Sequence, residues 1–311
     1  MLNSSVYPVS IIMVDFQKTE VFGVDTELWI NHPLLVFEVK KTVVTGQERS
    51  KRIAKYRTLD FIISQSGRMF IHGSLHKYYN FMKSIKGINQ KTQIEINKGF
   101  NGNDFTLFNF IEVLFDIEEQ FFCSFGNSRL SNLEVGVNFW HQFITSVILK
   151  HLMLFHGKTF KKPLSVSFRE VEQAHYFVKV YDKQLQYGLP DRMMRYELKY
   201  IKMNDLNKLG IHNLNDLIDQ GNLNRIKTLL LKKWDKVSIY DFTIDRSRLS
   251  VVNEKRCLLY SNENFWSGLA PNRRNRPKMY YRRIEKEYSE HIHQQISDLI
   301  GATWDRLVCN K

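Results

Sequence analysis

Three short stretches of the chain set chemically capable side chains at alternate positions. In Asn132-Leu133-Glu134-Val135-Gly136-Val137-Asn138 the odd positions are apolar and the even ones carry Asn132, Glu134 and Asn138. From His175 to Lys183 the odd positions are His175, Phe177, Lys179, Tyr181 and Lys183; from Arg195 to Lys199 they are Arg195, Glu197 and Lys199. A strand alternates its side chains between two faces, so each stretch puts its polar set on one side. If the three strands are neighbours, one sheet face collects two carboxylates, a tyrosine and several cations. Glu134 and Glu197, with or without His175, offer ligands suited to Mg2+ or Mn2+. Such an ion polarises a phosphodiester, a lysine stabilises the developing charge, and a tyrosine hydroxyl can form a covalent intermediate. The alternative stays open at this level, since exposed sheet faces are ordinarily polar and Lys–Glu cross-strand pairs are common. Tyr187, close to Gly188 and Pro190 in an expected loop, is a competing nucleophile.

These stretches need a scaffold. Val9 to Asp15, Leu34 to Thr45 and Asp60 to Ile71 are β-branched and aromatic runs separated by polar breaks, which predicts strands. Phe105 to Phe122 changes to helical spacing, with Asp104 as the expected N-cap. Leu130 to Phe139 alternates again, and Trp140 to Phe155 reads as a second helix. Pro163 to Phe168, Ala174 to Lys183 and Met193 to Ile201 read as strands. The order β, β, β, α, β, α, β, β, β predicts an α+β fold with helices packed on an antiparallel sheet. From Asn204 the character changes: Leu206 to Leu209, Leu214 to Ile218 and Leu223 to Trp234 read as helices joined by Gly210 and Gly221. A boundary is expected there, giving an α+β domain over 1–203 and a helical, basic region over 204–311.

Charge narrows the partners. Lys and Arg total 45 against 32 Asp and Glu, a formal net charge of +13. That surplus favours a polyanion, because each neutralised phosphate releases counterions. The densest basic segment holds Arg273, Arg274, Arg276, Lys278, Arg282, Arg283 and Lys286 around Tyr280 and Tyr281. Cations interleaved with rings suit single-stranded nucleic acid, and a solvated basic surface is the plainer reading. Cys123, Cys257 and Cys309 stand far apart, which argues against a zinc finger or a disulfide framework. Residues 1–8 lack the features of a signal peptide, and the most apolar helical stretch, 139–155, is too short and polar to span a bilayer. A cytoplasmic protein without a membrane partner is therefore expected.

Several segments resemble one family. Tyr176-Phe177-Val178-Lys179-Val180-Tyr181-Asp182-Lys183 resembles the "hydrophobic-x-hydrophobic-Tyr-Asp/Asn-Lys" strand of rolling-circle replication initiators of filamentous phages and small plasmids. Met194-Arg195-Tyr196-Glu197-Leu198-Lys199 resembles their "Arg-hydrophobic-Glu-hydrophobic" strand, and Ser128 to Glu134 their acidic strand. Ile71-His72-Gly73-Ser74-Leu75-His76-Lys77-Tyr78 and Met13-Val14-Asp15 are similar to phage members. The matches span roughly residues 13 to 200. The resemblance implies a Rep-like (HUH-type) nicking domain that acts on single-stranded or cruciform origin DNA, with a host helicase as a further partner. It implies Tyr181 as the nucleophile, leaving a 5′-phosphotyrosyl link and a free 3′-hydroxyl, with Lys183 beside the phosphate. Glu134 would be the first metal ligand, Glu197 the second and His175 a third. Apart from the resemblance, Lys77 beside Tyr78 and Tyr79, and the strand cations Lys179, Arg195 and Lys199, are expected to contact DNA, with a plain surface position as the alternative for Lys77. The chain departs from many relatives in having no His-hydrophobe-His pair before the tyrosine; its one such triplet, His291-Ile292-His293, follows it with helical flanks. That departure leaves a rival expectation, a sequence-specific DNA-binding protein on the same scaffold without catalysis. A structural protein whose charge serves only solubility is a second.

Overall fold

A computed structural model describes residues 13–44, 47–96, 99–161 and 167–308. The chain runs β1 (Met13–Val21), α1 (Thr26–Ile30), β2 (Glu38–Val44), β3 (Gln47–Tyr56), β4 (Leu59–Ser64), β5 (Met69–Ser74), α2 (Leu75–Met82), β6 (Gly87–Ile88), β7 (Glu95–Ile96) and α3 (Leu107–Phe121). It continues through β8 (Ser128–Trp140), α4 (Thr145–His151), β9 (Leu152–Phe155), β10 (Lys158–Thr159), β11 (Phe168–Glu172), β12 (Tyr176–Asp182), α5 (Lys183–Tyr187) and β13 (Met193–Tyr200). The last part is α6 (Asn204–Asn207), α7 (Gln220–Trp234), β14 (Val237–Ile239), α8 (Val251–Tyr260), α9 (Glu263–Gly268), α10 (Asn275–Tyr288) and α11 (Ile292–Val308). The fold is α+β, as the element order predicts. A nine-stranded sheet has the order β11-β12-β13-β8-β1-β5-β4-β3-β2, with every neighbouring pair antiparallel.

Alternation sorts this sheet into two unlike faces. Val14, Leu133, Val135, Val137, Val178, Val180, Tyr196 and Leu198 share one core with Phe110, Val113 and Ile117 of α3, Leu223, Ile226 and Leu230 of α7, and Ile292, Ile296 and Ile300 of α11. The intervening residues of the same strands look the other way. The helices after residue 204 are thus not packed apart from the sheet, since α7 and α11 close its core. A second, smaller core joins Met153 and Leu154 of β9 to Tyr240, Cys257, Tyr260, Trp266, Tyr281 and Ile284.

Several elements differ from the sequence expectation. The run 60–71 is two strands, because Gln65-Ser66-Gly67-Arg68 turns the chain with Gly67 at φ +78°. β3 was not expected: its Arg49, Lys51, Arg52 and Lys55 hide a strand that is exposed over its distal half. The expected helix 140–155 shrinks to α4, and Leu152–Phe155 instead forms β9 between β10 and β14. Thr106, not Asp104, caps α3: its hydroxyl accepts from Asn109 N while the Asn109 side chain accepts from Thr106 N. Residues 9–12 and 163–166 of two expected strands, and Cys309, lie outside the described residues. Among the described residues, no helix is long and apolar enough to cross a membrane.

Candidate active site

β8, β13 and β12 are consecutive neighbours, so the three polar stretches do share a face. Register pairs Glu134 with Lys199 and Asn138 with Arg195 across β8–β13. It pairs Glu197 with Lys179 and Arg195 with Tyr181 across β13–β12. Gly136 stands opposite Glu197, where a Cβ would sit 2.2 Å from Tyr196 O and 2.6 Å from Glu197 Cβ. Only glycine leaves the Glu197 carboxylate its place.

A third carboxylate arrives from β1 through a bulge. Val14 pairs with Val135 and Gln17 with Leu133, so Asp15 and Phe16 together oppose the single residue Glu134. Both therefore face the site side, and Asp15 joins Glu134 and Glu197. Their ligand oxygens all lie within 4.8 Å of one another and all three residues are buried. Asp15 accepts from Ser74 Oγ and from Asn101 Nδ2 at 2.5 Å.

Cations surround these oxygens. Lys179 Nζ is 3.1 Å from Glu134 Oε1 and 3.0 Å from Glu197 Oε1; Lys199 Nζ is 2.9 Å from Glu134 Oε1. Arg195, fully buried, donates Nε to Glu197 Oε2 at 2.5 Å and sets Nη2 3.2 Å from Asp15 Oδ2. Burial disfavours the Glu197 charge, yet Arg195 and Lys179 hold its carboxyl below its ordinary range. Asp15 is likewise held low against its burial by Arg195 and Lys183. Burial also opposes the Lys179 charge, and Glu197 and Glu134 overcome it, raising the ammonium.

Tyr181 donates its hydroxyl to Glu197 Oε2 at 3.3 Å. Burial, opposed by Arg195, pushes that hydroxyl far above its ordinary value. Lys183 opens α5, buried beneath the Tyr181 and Tyr187 rings at 5.1 and 4.9 Å, and donates to Asn101 Oδ1 at 2.6 Å. Burial and the neighbouring Arg195 lower it to about 7. Asp15, Lys77, Glu134, Lys179, Tyr181 and Glu197 border an open cleft of 440 Å3.

The other expected residues divide. His175 lies before β12 begins, at the end of the strand away from Tyr181, and is not part of the carboxylate cluster; its carbonyl accepts from Ile201 N and Lys202 N. Six residues of extended chain separate it from Tyr181, about 20 Å. Tyr187 is on α5 instead of in a loop, buried, with its hydroxyl donated to Gly99 O and Asn101 Oδ1. In the basic segment, Arg273, Arg276, Arg282 and Arg283 are exposed on or before α10, and Lys278 and Tyr280 are half-buried. Arg274 and Tyr281 are buried and structural: Arg274 donates to Leu269 O and Gly157 O, and Tyr281 Oη accepts from Asp241 N. Asp15, Ser74 and Asn101 are the site members that residue patterning misses. Strict alternation puts Phe16 with Val14 in the core, and no single sequence announces a bulge.

No protein-family model matches the chain, and no curated protein or solved structure matches it either.

Proposed function

We propose that the chain is a replication initiator of the rolling-circle kind, a metal-dependent nickase on a Rep-like scaffold that cleaves single-stranded or cruciform origin DNA through Tyr181. The observation that supports this most is the tyrosine hydroxyl in contact with one of three convergent carboxylates, at the wall of an open cleft. Three carboxylates are an oxygen donor set that fits Mg2+ or Mn2+, and Asp15, Glu134 and Glu197 would hold it. When bound, the ion supplies charge neutralisation at the scissile phosphate.

The chain's own groups do the rest. The Tyr181 oxygen attacks phosphorus, its proton passing to the Glu197 carboxylate that it already contacts. The Tyr181–O–P bond forms as the P–O3′ bond breaks, and the leaving 3′-oxygen takes a proton from water in the open cleft to become a free hydroxyl, the hydroxide being neutralised by the proton that Glu197 releases. Lys183, near neutrality before substrate arrives, regains its proton beside a phosphate and stabilises it. Lys77 at the cleft rim contacts the backbone.

One observation favours the non-catalytic DNA-binding reading: Lys179 already bridges Glu134 and Glu197 as an internal counter-cation. An ion at those oxygens must displace that ammonium. The deciding experiment incubates a labelled single-stranded library with the protein and Mn2+ or Mg2+, then scores adducts that survive denaturation. Nicking predicts an adduct lost in Tyr181→Phe and in chelator; binding without any adduct sinks it.

A further inference from the structure

The site face does not end at β1. Register continues it across the other half of the sheet in two rows. Lys18 stands opposite His72, His72 opposite Asp60, and Asp60 opposite Lys55. Glu20 stands opposite Phe70, Phe70 opposite Ile62, Ile62 opposite Ile53, and Ile53 opposite Glu38. Phe16, Lys18, Ile62, Phe70 and His72 are half-exposed, and Lys40, Lys51 and Lys55 are exposed. The core lies on the opposite face.

Rings and cations interleave here. Phe16 and His72 meet edge to face at 4.7 Å. Lys18 Nζ and the Arg68 guanidinium lie 5.0 and 5.1 Å from the Phe70 ring centre, and Lys199 Nζ lies 5.1 Å from that of Phe16. Of the acids nearby, Glu20 is engaged by Arg68 and Arg129, Asp60 stands 3.7 Å from His72, and Glu38 lies on the edge strand at the far end of its row. Lys18, Lys40, Lys51 and Lys55 have no ion-pair partner among the described residues. Lys40 and Lys51 moreover face each other directly across β2–β3. Like charges so placed repel, and a phosphate between them relieves the repulsion.

We infer that this half of the sheet is a binding track for single-stranded DNA, with bases stacking on Phe16, His72 and Phe70 and phosphates following Lys18, Lys51 and Lys40. A single strand fits because its bases have open faces, which neighbours cover in a duplex. The track joins the cleft through Lys199, which touches both Phe16 and Glu134. Tyr181 and Phe16 lie three strands apart, about 14 Å, and are offset along the strands by four residues, again about 14 Å, or roughly 20 Å in all. The track rests on the nicking reading only for why a strand would run toward Tyr181; binding is measured without it.

The test is fluorescence anisotropy of a labelled dT oligomer of about 16 nucleotides, in chelator, with Tyr181→Phe as the parent so that cleavage plays no part. Phe70→Ala and Phe16→Ala each weaken binding on the order of tenfold, and Phe70→Trp restores it because the ring is what counts. Lys51→Ala lowers the slope of log affinity against log salt by about one. Unchanged affinity in both alanine variants overturns the track, as does equal binding of the corresponding duplex. A Phe70→Trp variant as weak as Phe70→Ala would also overturn it, since stacking is then not the cause. None of these outcomes touches the adduct result, and loss of the adduct leaves the track standing.

Discussion

The carboxylate site and the α10 segment are both dense in charge, and they use it in opposite ways. At the site, Glu197 and Arg195 are buried at 1% and 0% exposure, and each charge answers another within 3.3 Å. On α10, Arg276, Arg282 and Arg283 face solvent while Tyr281 and Ile284 of the same helix are buried. A strand delivers every second residue to one face, so neighbouring strands compound their charges. A helix spreads successive residues round its axis, and a cluster dense in sequence is divided between core and water. Density along the chain is therefore a poor guide to density in space.

That contrast can be broken at its strongest point first. Glu197→Gln leaves Arg195 and Lys179 buried without their shared carboxylate, and is expected to cost about 3–5 kcal/mol of unfolding free energy in denaturant titration. Arg283→Ala is expected to change it by less than about 0.5 kcal/mol. Equal effects would mean that the site charges are solvated after all.

Lys183 gives the same contrast a pH signature. Its folded value, about 7, lies below the ordinary 10.5. The unfolded chain therefore binds the extra proton between those values, and stability rises with pH across that window. Lys183→Met removes this penalty, so the variant is more stable than the parent by up to roughly 4 kcal/mol below pH 7. The gain shrinks toward zero as pH approaches 10.5. Thermal melts that differ equally at pH 6 and pH 10 would contradict the buried amine.

A smaller effect concerns the internal counter-cation. Lys179→Met removes the ammonium that bridges Glu134 and Glu197 while Lys199 and Arg195 stay paired with them, so Mn2+ affinity measured by electron paramagnetic resonance is expected to rise by about tenfold, equivalent to ~1.4 kcal/mol. A fall would indicate that Lys179 helps to assemble the cluster. On α10, Tyr281→Phe leaves Asp241 N without its acceptor and costs about 1–3 kcal/mol, whereas Tyr280→Phe is expected to be neutral. Smallest of all, Arg273→Ala and Arg282→Ala leave stability alone and each lower the salt slope of DNA binding by about one if that surface meets phosphates.

Where the sequence could be read, the reason is periodicity. Glu134, Lys179, Tyr181, Arg195, Glu197 and Lys199 follow from period two alone, once the strands are adjacent, and α3 and α7 follow from helical spacing. What stayed hidden depends on distant chain segments. Asn101 comes from a loop, Ser74 from the end of β5, and Asp15 from a bulge. β3 reads as a polar stretch because its far half has no core to face. Leu152–Phe155 continues an apolar run that begins as a helix, and only pairing with β10 and β14 makes it a strand. Arg274 and Tyr281 look like their exposed neighbours until the second core is drawn.

The bulge in β1 is answered by another. Between Lys18 and Thr19 the pairing on β8 jumps from Asn132 to Leu130, so the extra residue now falls on β8, at Ser131. From Val14–Val135 to Thr19–Leu130 each strand therefore advances by the same five residues. The ladder enters and leaves this interval in one phase, and both flanks keep their inward and outward residues unchanged. In genetic terms the interval is a matched insertion: losing one residue from each strand would restore a regular ladder and erase the third carboxylate. Losing Asp15 alone would remove only the bulge on β1, leaving that at Ser131 and the facing of the residues on both flanks unchanged. The third ligand could thus be acquired or discarded on this scaffold by a single-codon change, without redesign of the core beneath.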